Sequence, residues 1–330
     1  MIDRNAAPRR GGSCHPEGVD DRITLRFLAT PQDETLAGIV SAGSMLEWID
    51  KAGYACAVGW SGGYCVTAYV GNVHFSRPVA SGDLIEATGR IIHTGRTSMQ
   101  VLVEIATADV ETRVYTRATY CLLVFVAVDE AGTPRPVPPW TPRTADEVAL
   151  HDNAAGRLDA RRRIRDLMLA ERYTDEGTTP RTTFRFLAAP SVVNFGGNAH
   201  GGTVMRWIEE AAFACAAGWS SDRAVAVYSG GIHFFRPVSI GSVVELEARL
   251  IHTGPHSMHV AVHVRSAPVT APRDGAATTQ CLAVFVDRAD DGRARPVPPL
   301  ELVTDEDRRL DAHARELIAE RAALAPLPIG

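Results

Sequence analysis

An α+β fold built twice over is what this 330-residue sequence predicts, each half an antiparallel sheet wrapped around one long central helix. Three observations carry that expectation: an internal repeat, one apolar helical segment in each copy, and a run of β-rich segments after it. RFLATP at 26–31 returns as RFLAAP at 185–190, HFSRPV at 74–79 as HFFRPV at 233–238, and HTGRTSM at 93–99 as HTGPHSM at 252–258, always 159 residues on. CLLVFV at 121–126 and PVPP at 136–139 have their counterparts 160 residues on, so one residue is gained between positions 100 and 120, in an expected loop. A period this long signals two duplicated domains, because solenoid units run about 20–50 residues.

Each copy justifies its elements in the same order. After RFLATP and a turn-rich loop, Met45, Trp48, Ile49, Ala52, Ala55 and Cys56 recur at helical spacing within 44–58, which predicts one largely buried helix. Residues 203–217 repeat it, and Cys56 and Cys215, at matching positions on these apolar helices, read as packing residues. Four segments rich in Val, Ile and Thr follow, separated by Gly, Asp and Pro turns. One apolar helix followed by such a meander buries itself by having the sheet curl around it. The polar, helically spaced stretches 144–173 and 304–324 read as surface helices that close each unit. The expected organisation is a disordered leader over 1–21, domains over 22–140 and 180–300, a helical linker over 141–179, and a C-terminal helix and tail over 301–330.

Composition narrows the function. A formal charge of −5 argues against a general nucleic-acid binder. No run approaches the roughly 18 apolar residues of a membrane span, and the first residues lack the apolar stretch of a signal peptide. Six cysteines, none as CxxC, suit reduced thiols in a cytoplasmic protein. His256, His259 and His263 lack an accompanying carboxylate cluster, so no metal site is expected. No dinucleotide or P-loop fingerprint is present.

The chemistry concentrates at the start of the second helix. Gly201 and Gly202 sit where that helix begins, and unpaired N–H groups there suit the oxyanion of a carbonyl under attack. A plain tight turn is the other reading. Asp50, two helical turns after Gly43, is either a base or nucleophile beside an apolar pocket or a solvated acid next to Lys51. Asn194 offers an amide that can hold water or a carbonyl oxygen, or it is a turn residue; His200 either touches a ligand or supports the loop.

NFGGNAHGG at 194–202, the acid two residues after the helix Trp, HF-x-RPV, the G-x-x-SM hairpin and the VFV…PVPP ending together resemble the tandem, or double, hotdog acyl-CoA thioesterases, over about 22–140 and 180–300. The resemblance implies two hotdog domains, hydrolysis of a fatty acyl-CoA to acid and CoA, and no cofactor beyond the CoA of the substrate. It also implies a homotrimer of double hotdogs, a pseudo-hexamer, and a site that takes its Asn from one domain and its acid from the other. Copy one carries Thr35 for Asn194 and Ser41-Ala42-Gly43 for His200-Gly201-Gly202, while copy two carries Glu209 for Asp50. One complete site, Asp50 with Asn194, Gly201 and Gly202, is therefore expected beside a degenerate one of Thr35, Gly43 and Glu209. Arg77, Arg236, Arg96, Ser98 and Ser257 either meet CoA phosphates or pin the hairpins. A dehydratase on the same fold and a non-catalytic acyl-CoA sensor are the rival readings.

Overall fold

The computed structural model describes residues 20–324 and 327–329. The expected leader over 1–21 falls outside them except for Asp20 and Asp21. In the first half the chain runs β1 (Arg22–Leu28), α1 (Ala42–Ser61), β2 (Cys65–Val70), β3 (Val73–His74), β4 (Leu84–Thr94), β5 (Ser98–Ala108) and β6 (Thr116–Ala127). Two helices follow, α2 (Ala145–Gly156) and α3 (Leu158–Ala170). The second half runs β7 (Arg181–Leu187), α4 (Gly201–Trp219), β8 (Ala224–Phe234), β9 (Ser242–Thr253), β10 (Met258–Pro268), β11 (Ala276–Arg288) and β12 (Ala294–Arg295), and ends in α5 (Asp305–Ala322).

Each half is a sheet curled around its helix, the hotdog arrangement. The helix face is the one its spacing announces, with Met45, Leu46, Trp48, Ile49, Ala52 and Cys56 of α1 buried. Burying each large aliphatic or aromatic side chain contributes about 1.5–3 kcal/mol. Burial pushes the Cys56 thiol up to about 12 and the Cys215 thiol up to about 11, as suits inert packing residues.

The two sheets are one. Strand order is β1-β4-β5-β6-β2-β8-β11-β10-β9-β7, with β12 on β11 and β3 on β8, so among the described residues twelve strands form a continuous sheet. The halves meet where Tyr69 of β2 lies opposite His233 of β8 and Val70 opposite Ile232. Helices α1 and α4 pack antiparallel on the inner side, and one apolar core runs through both halves. The outer face is covered separately. Leu150 and Ala154 of α2 sit on Ile92 and Leu102, while α3 and α5 lay Ile164, Met168, Leu310 and Leu317 on Ile251 and Leu282.

The helices touch without a spacer. A Cβ on Gly202 would stand 2.9 Å from the Glu47 Cα, and one on Gly43 would stand 3.2 Å from the Arg206 Cα. Glu47 and Arg206, which occupy the same position of the two copies, form an ion pair at 3.1 Å across this crossing. Alanine is about 1 kcal/mol the better helix former, yet Gly202→Ala must push a backbone aside. A net loss of about 1–3 kcal/mol is expected, measured by urea unfolding; a gain in stability would mean that the helices are free to separate.

Candidate active site

Asp50 reaches from α1 to the start of α4. It is fully buried, which for a lone carboxylate would be costly, and its two oxygens meet three partners. The Gly202 N–H donates to Oδ2 at 2.8 Å, His200 Nδ1 stands 2.7 Å from the same oxygen, and the Thr67 hydroxyl donates to Oδ1 at 2.8 Å. His200 is the N-cap residue of α4, but its side chain does not cap the helix. The acid of the other copy does so instead, and the helix dipole favours its negative charge. By contrast α1 is capped by its own Ser41, which accepts from the Ser44 N–H at 2.9 Å.

His200 is held between Asp50 and the edge of the Tyr54 ring, whose centroid is 5.6 Å away. The hydrogen bond to Asp50 raises its pKa above the usual imidazole value, against the opposing effect of burial. With Nδ1 turned to the carboxylate, Nε2 is the nitrogen left on the other edge of the ring. The ring lines a cavity of about 1010 Å³ together with Tyr54, Tyr64, Thr67, Asn194 and Gly201.

The structure thus brings Asp50, His200, Gly201, Gly202 and Asn194 together, but not in every expected role. Asp50 does not line the cavity; Thr67, His200 and Gly201 stand in front of it. The Gly202 amide is committed to Asp50, so of the two N–H groups expected to meet an oxyanion only that of Gly201, in the first turn, has no acceptor within the helix. Asn194 does not hydrogen-bond Asp50. Its Oδ1 accepts from the Gly196 and Asn198 N–H groups at 2.9 and 3.1 Å, and its amide donates to the Ala199 carbonyl at 3.4 Å, which is the turn role.

The other site is built differently. Thr35 closes its own loop, accepting from the Ala37 N–H at 3.2 Å. Glu209 is 7 % exposed; burial and its neighbour Glu210 push its carboxyl up to about 7, against the pull of the Gly43 N–H and Arg206. Arg206 lies across this end, donating to the Ser44 hydroxyl at 3.1 Å. Ala226 stands where the first copy has Thr67, so the hydroxyl that steadies Asp50 has no counterpart.

Of the basic and hydroxyl residues considered for CoA, Arg236 lines the cavity; Arg77, Arg96, Ser98 and Ser257 do not. Ser98 and Ser257 lie under Gly95 and Gly254 of their own hairpins, where they serve the turn. His259 stands edge-on to His252 and His263 to Tyr173, beneath the outer helices. Sequence reasoning missed Thr67, Tyr54 and Tyr64. The Thr67/Ala226 contrast was available from the same comparison of copies that singled out Asp50. Among the described residues no helix is long and apolar enough to cross a membrane.

The likeness to known proteins follows the same two halves. Residues 37–113 and 196–271 each match the thioesterase superfamily. The acyl-CoA thioester hydrolase YciA of Salmonella typhimurium is 33% identical over 126 residues, 37% of this chain and 92% of its own length. The human cytosolic acyl coenzyme A thioester hydrolase is 24% identical over 327 residues, 92% of this chain and 86% of its own length. Among solved structures, an apo-hexameric acyl-CoA thioesterase aligns at a TM-score of 0.43 and 34% identity, over 46% of this chain and 95% of that one. With one relative above 30% identity matched over most of its length, and both halves matched in turn, the chain belongs to the thioesterase superfamily.

Proposed function

We propose that the chain is an acyl-CoA hydrolase that cleaves a fatty acyl thioester to a free acid and CoA at one competent site per chain. The observation that carries this reading is the Asp50 carboxylate fixed behind His200 at the mouth of α4, with the His200 ring lining a cavity of about 1010 Å³. That volume is at the upper end of the range of about 300–1,000 Å³ for drug-sized ligands, as a long acyl-pantetheine arm requires. His200 Nε2 takes a proton from water as it attacks the thioester carbonyl, the Gly201 N–H at the positive end of α4 stabilises the oxyanion, and collapse breaks the C–S bond while the His200 imidazolium returns its proton to the departing CoA thiolate. Asp50 keeps the imidazole oriented and favours its protonated form. Direct attack by Asp50 would require it to leave Gly202 and Thr67, and each such charged hydrogen bond is worth about 1.5–3 kcal/mol.

Asn194 shapes the loop that carries the rim, and the Thr35–Gly43–Glu209 site is degenerate because Arg206 and an unassisted, proton-holding Glu209 occupy it. The reading includes the trimer of double hotdogs and a cytoplasmic setting. The five described cysteines, all buried free thiols, suit the latter. Thiol release from acyl-CoAs of short to long chain tests it. Turnover with a chain-length preference is the expected result, whereas tight binding of acyl-CoA without thiol release would make the protein a sensor.

A further inference from the structure

A second cavity, of about 190 Å³, lies on the outer face of the sheet, where α3 and the end of α5 cover the seam between β2 and β8. Its walls carry Arg157, Arg161 and Arg321 and, among the described residues, no carboxylate. The Arg161 guanidinium lies over the Tyr69 ring at 4.9 Å and that of Arg321 over the Tyr228 ring at 5.2 Å. Neither contact neutralises a cation. Nε and Nη2 of Arg321 are buried with no hydrogen-bond partner among the described residues. Burial and the neighbouring Arg162 and Arg165, of its own sign, disfavour the charged form of Arg161.

The other polar side chains around it offer donors and carry no negative charge. Tyr228 donates to Asn72 Oδ1 at 2.7 Å, which leaves the Asn72 amide nitrogen as the unused end of that side chain. Burial pushes the Tyr69 phenol up to about 12, so it keeps its proton. Burial and the arginines hold His233 down to about 4, so it adds no charge of its own. Cations withdrawn from water without a counter-ion cost several kcal/mol. A cluster of donors around an enclosed space is complementary to an ion with acceptors only.

We propose that this seam cavity binds a small oxyanion of the phosphate class, held by Arg161 and Arg321 with Tyr69 and Asn72 as further donors. The volume is below the range of about 300–1,000 Å³ for drug-sized ligands, which favours a free inorganic anion over a nucleotide. Because the donors come from β2, the linker helix and the C-terminal helix, the bound ion fastens all three across the joint between the halves. The proposal is independent of the chemistry at Asp50.

The test is thermal unfolding of the full chain during titration with inorganic phosphate, at an ionic strength held constant with chloride. A saturable rise in Tm of about 3–6 °C is expected. Arg161→Gln and Arg321→Gln should each flatten the response. Asn72→Asp retains the acceptor for Tyr228 and places a carboxylate in the cavity. It should also flatten the response, while leaving Tm in chloride at or above the wild-type value, and it reads out the site even if an arginine variant does not fold. A phosphate response no larger than that of chloride, or one undiminished in Asn72→Asp, would overturn the proposal.

Discussion

Replacing Asp50 with Asn lowers the rate of thioester hydrolysis on the order of 10²–10⁴-fold, while Glu209→Gln leaves it close to wild type. The introduced amide keeps an acceptor for the Gly202 N–H but cannot hold an imidazolium. The effect therefore falls on kcat more than on KM, since the cavity lining is unchanged. The pH profile separates two roles. Asp50 raises the pKa of His200, and His200 acts as base only when neutral. Without the carboxylate, the acid limb of kcat/KM moves to lower pH. In His200→Gln that limb disappears. If the acid limb disappears in Asp50→Asn and survives in His200→Gln, Asp50 itself takes the proton. If Glu209→Gln is the damaging change, the competent site is the other one.

Glu209→Gln is expected to stabilise the protein, and only above a certain pH. The folded carboxyl titrates near 7, above its ordinary 4.5. Below the ordinary value both folded and unfolded chains hold the proton. Between the two values the folded chain still holds a proton that the unfolded chain has released, so stability falls as pH rises through this window. Glutamine removes the dependence. At pH 8 the variant should exceed wild type by roughly 2–3 kcal/mol, a difference that shrinks toward pH 4.5. Urea midpoints of both proteins at the two pH values measure it. An equal difference at both would show that Glu209 titrates normally and that the end of α1 is open to water.

Much of this architecture was legible because its causes are local. Trp48, Ile49 and Ala52 mark one face of a helix wherever that helix packs, and the β-rich segments at 83–95 and 98–110 contain β4 and β5. The duplication was legible as plain identity. What was not legible depends on partners distant in sequence. The edge strand β1 is the exception, because Ile23, Leu25 and Phe27 alternate with exposed neighbours along its seven residues, a pattern the sequence did carry. The pairing of β2 with β8 involves only two opposed pairs of residues, Tyr69 with His233 and Val70 with Ile232, and leaves no local sign. At the site, Asp50 stood out as an acid on an apolar helix. That its oxygens would be spent on Gly202, His200 and Thr67 depends on how closely two glycine-bearing helices approach. Asn194 was read by its chemistry, whereas the loop around it claims both ends of its amide.

The ion pair between Glu47 and Arg206 bears on which surfaces each half accepts. The two residues hold one repeat position and meet across the pseudo-twofold crossing of the helices. A half that met its own twin there would set Glu47 against Glu47, or Arg206 against Arg206. Like charges about 4 Å apart in a partly buried setting repel by up to about 4 kcal/mol. As a partly exposed attraction the pair adds little stability, but like charges at this position would oppose the pairing of two identical halves. The charges at this crossing thus favour complement over twin, and the linker joins two surfaces that are no longer interchangeable.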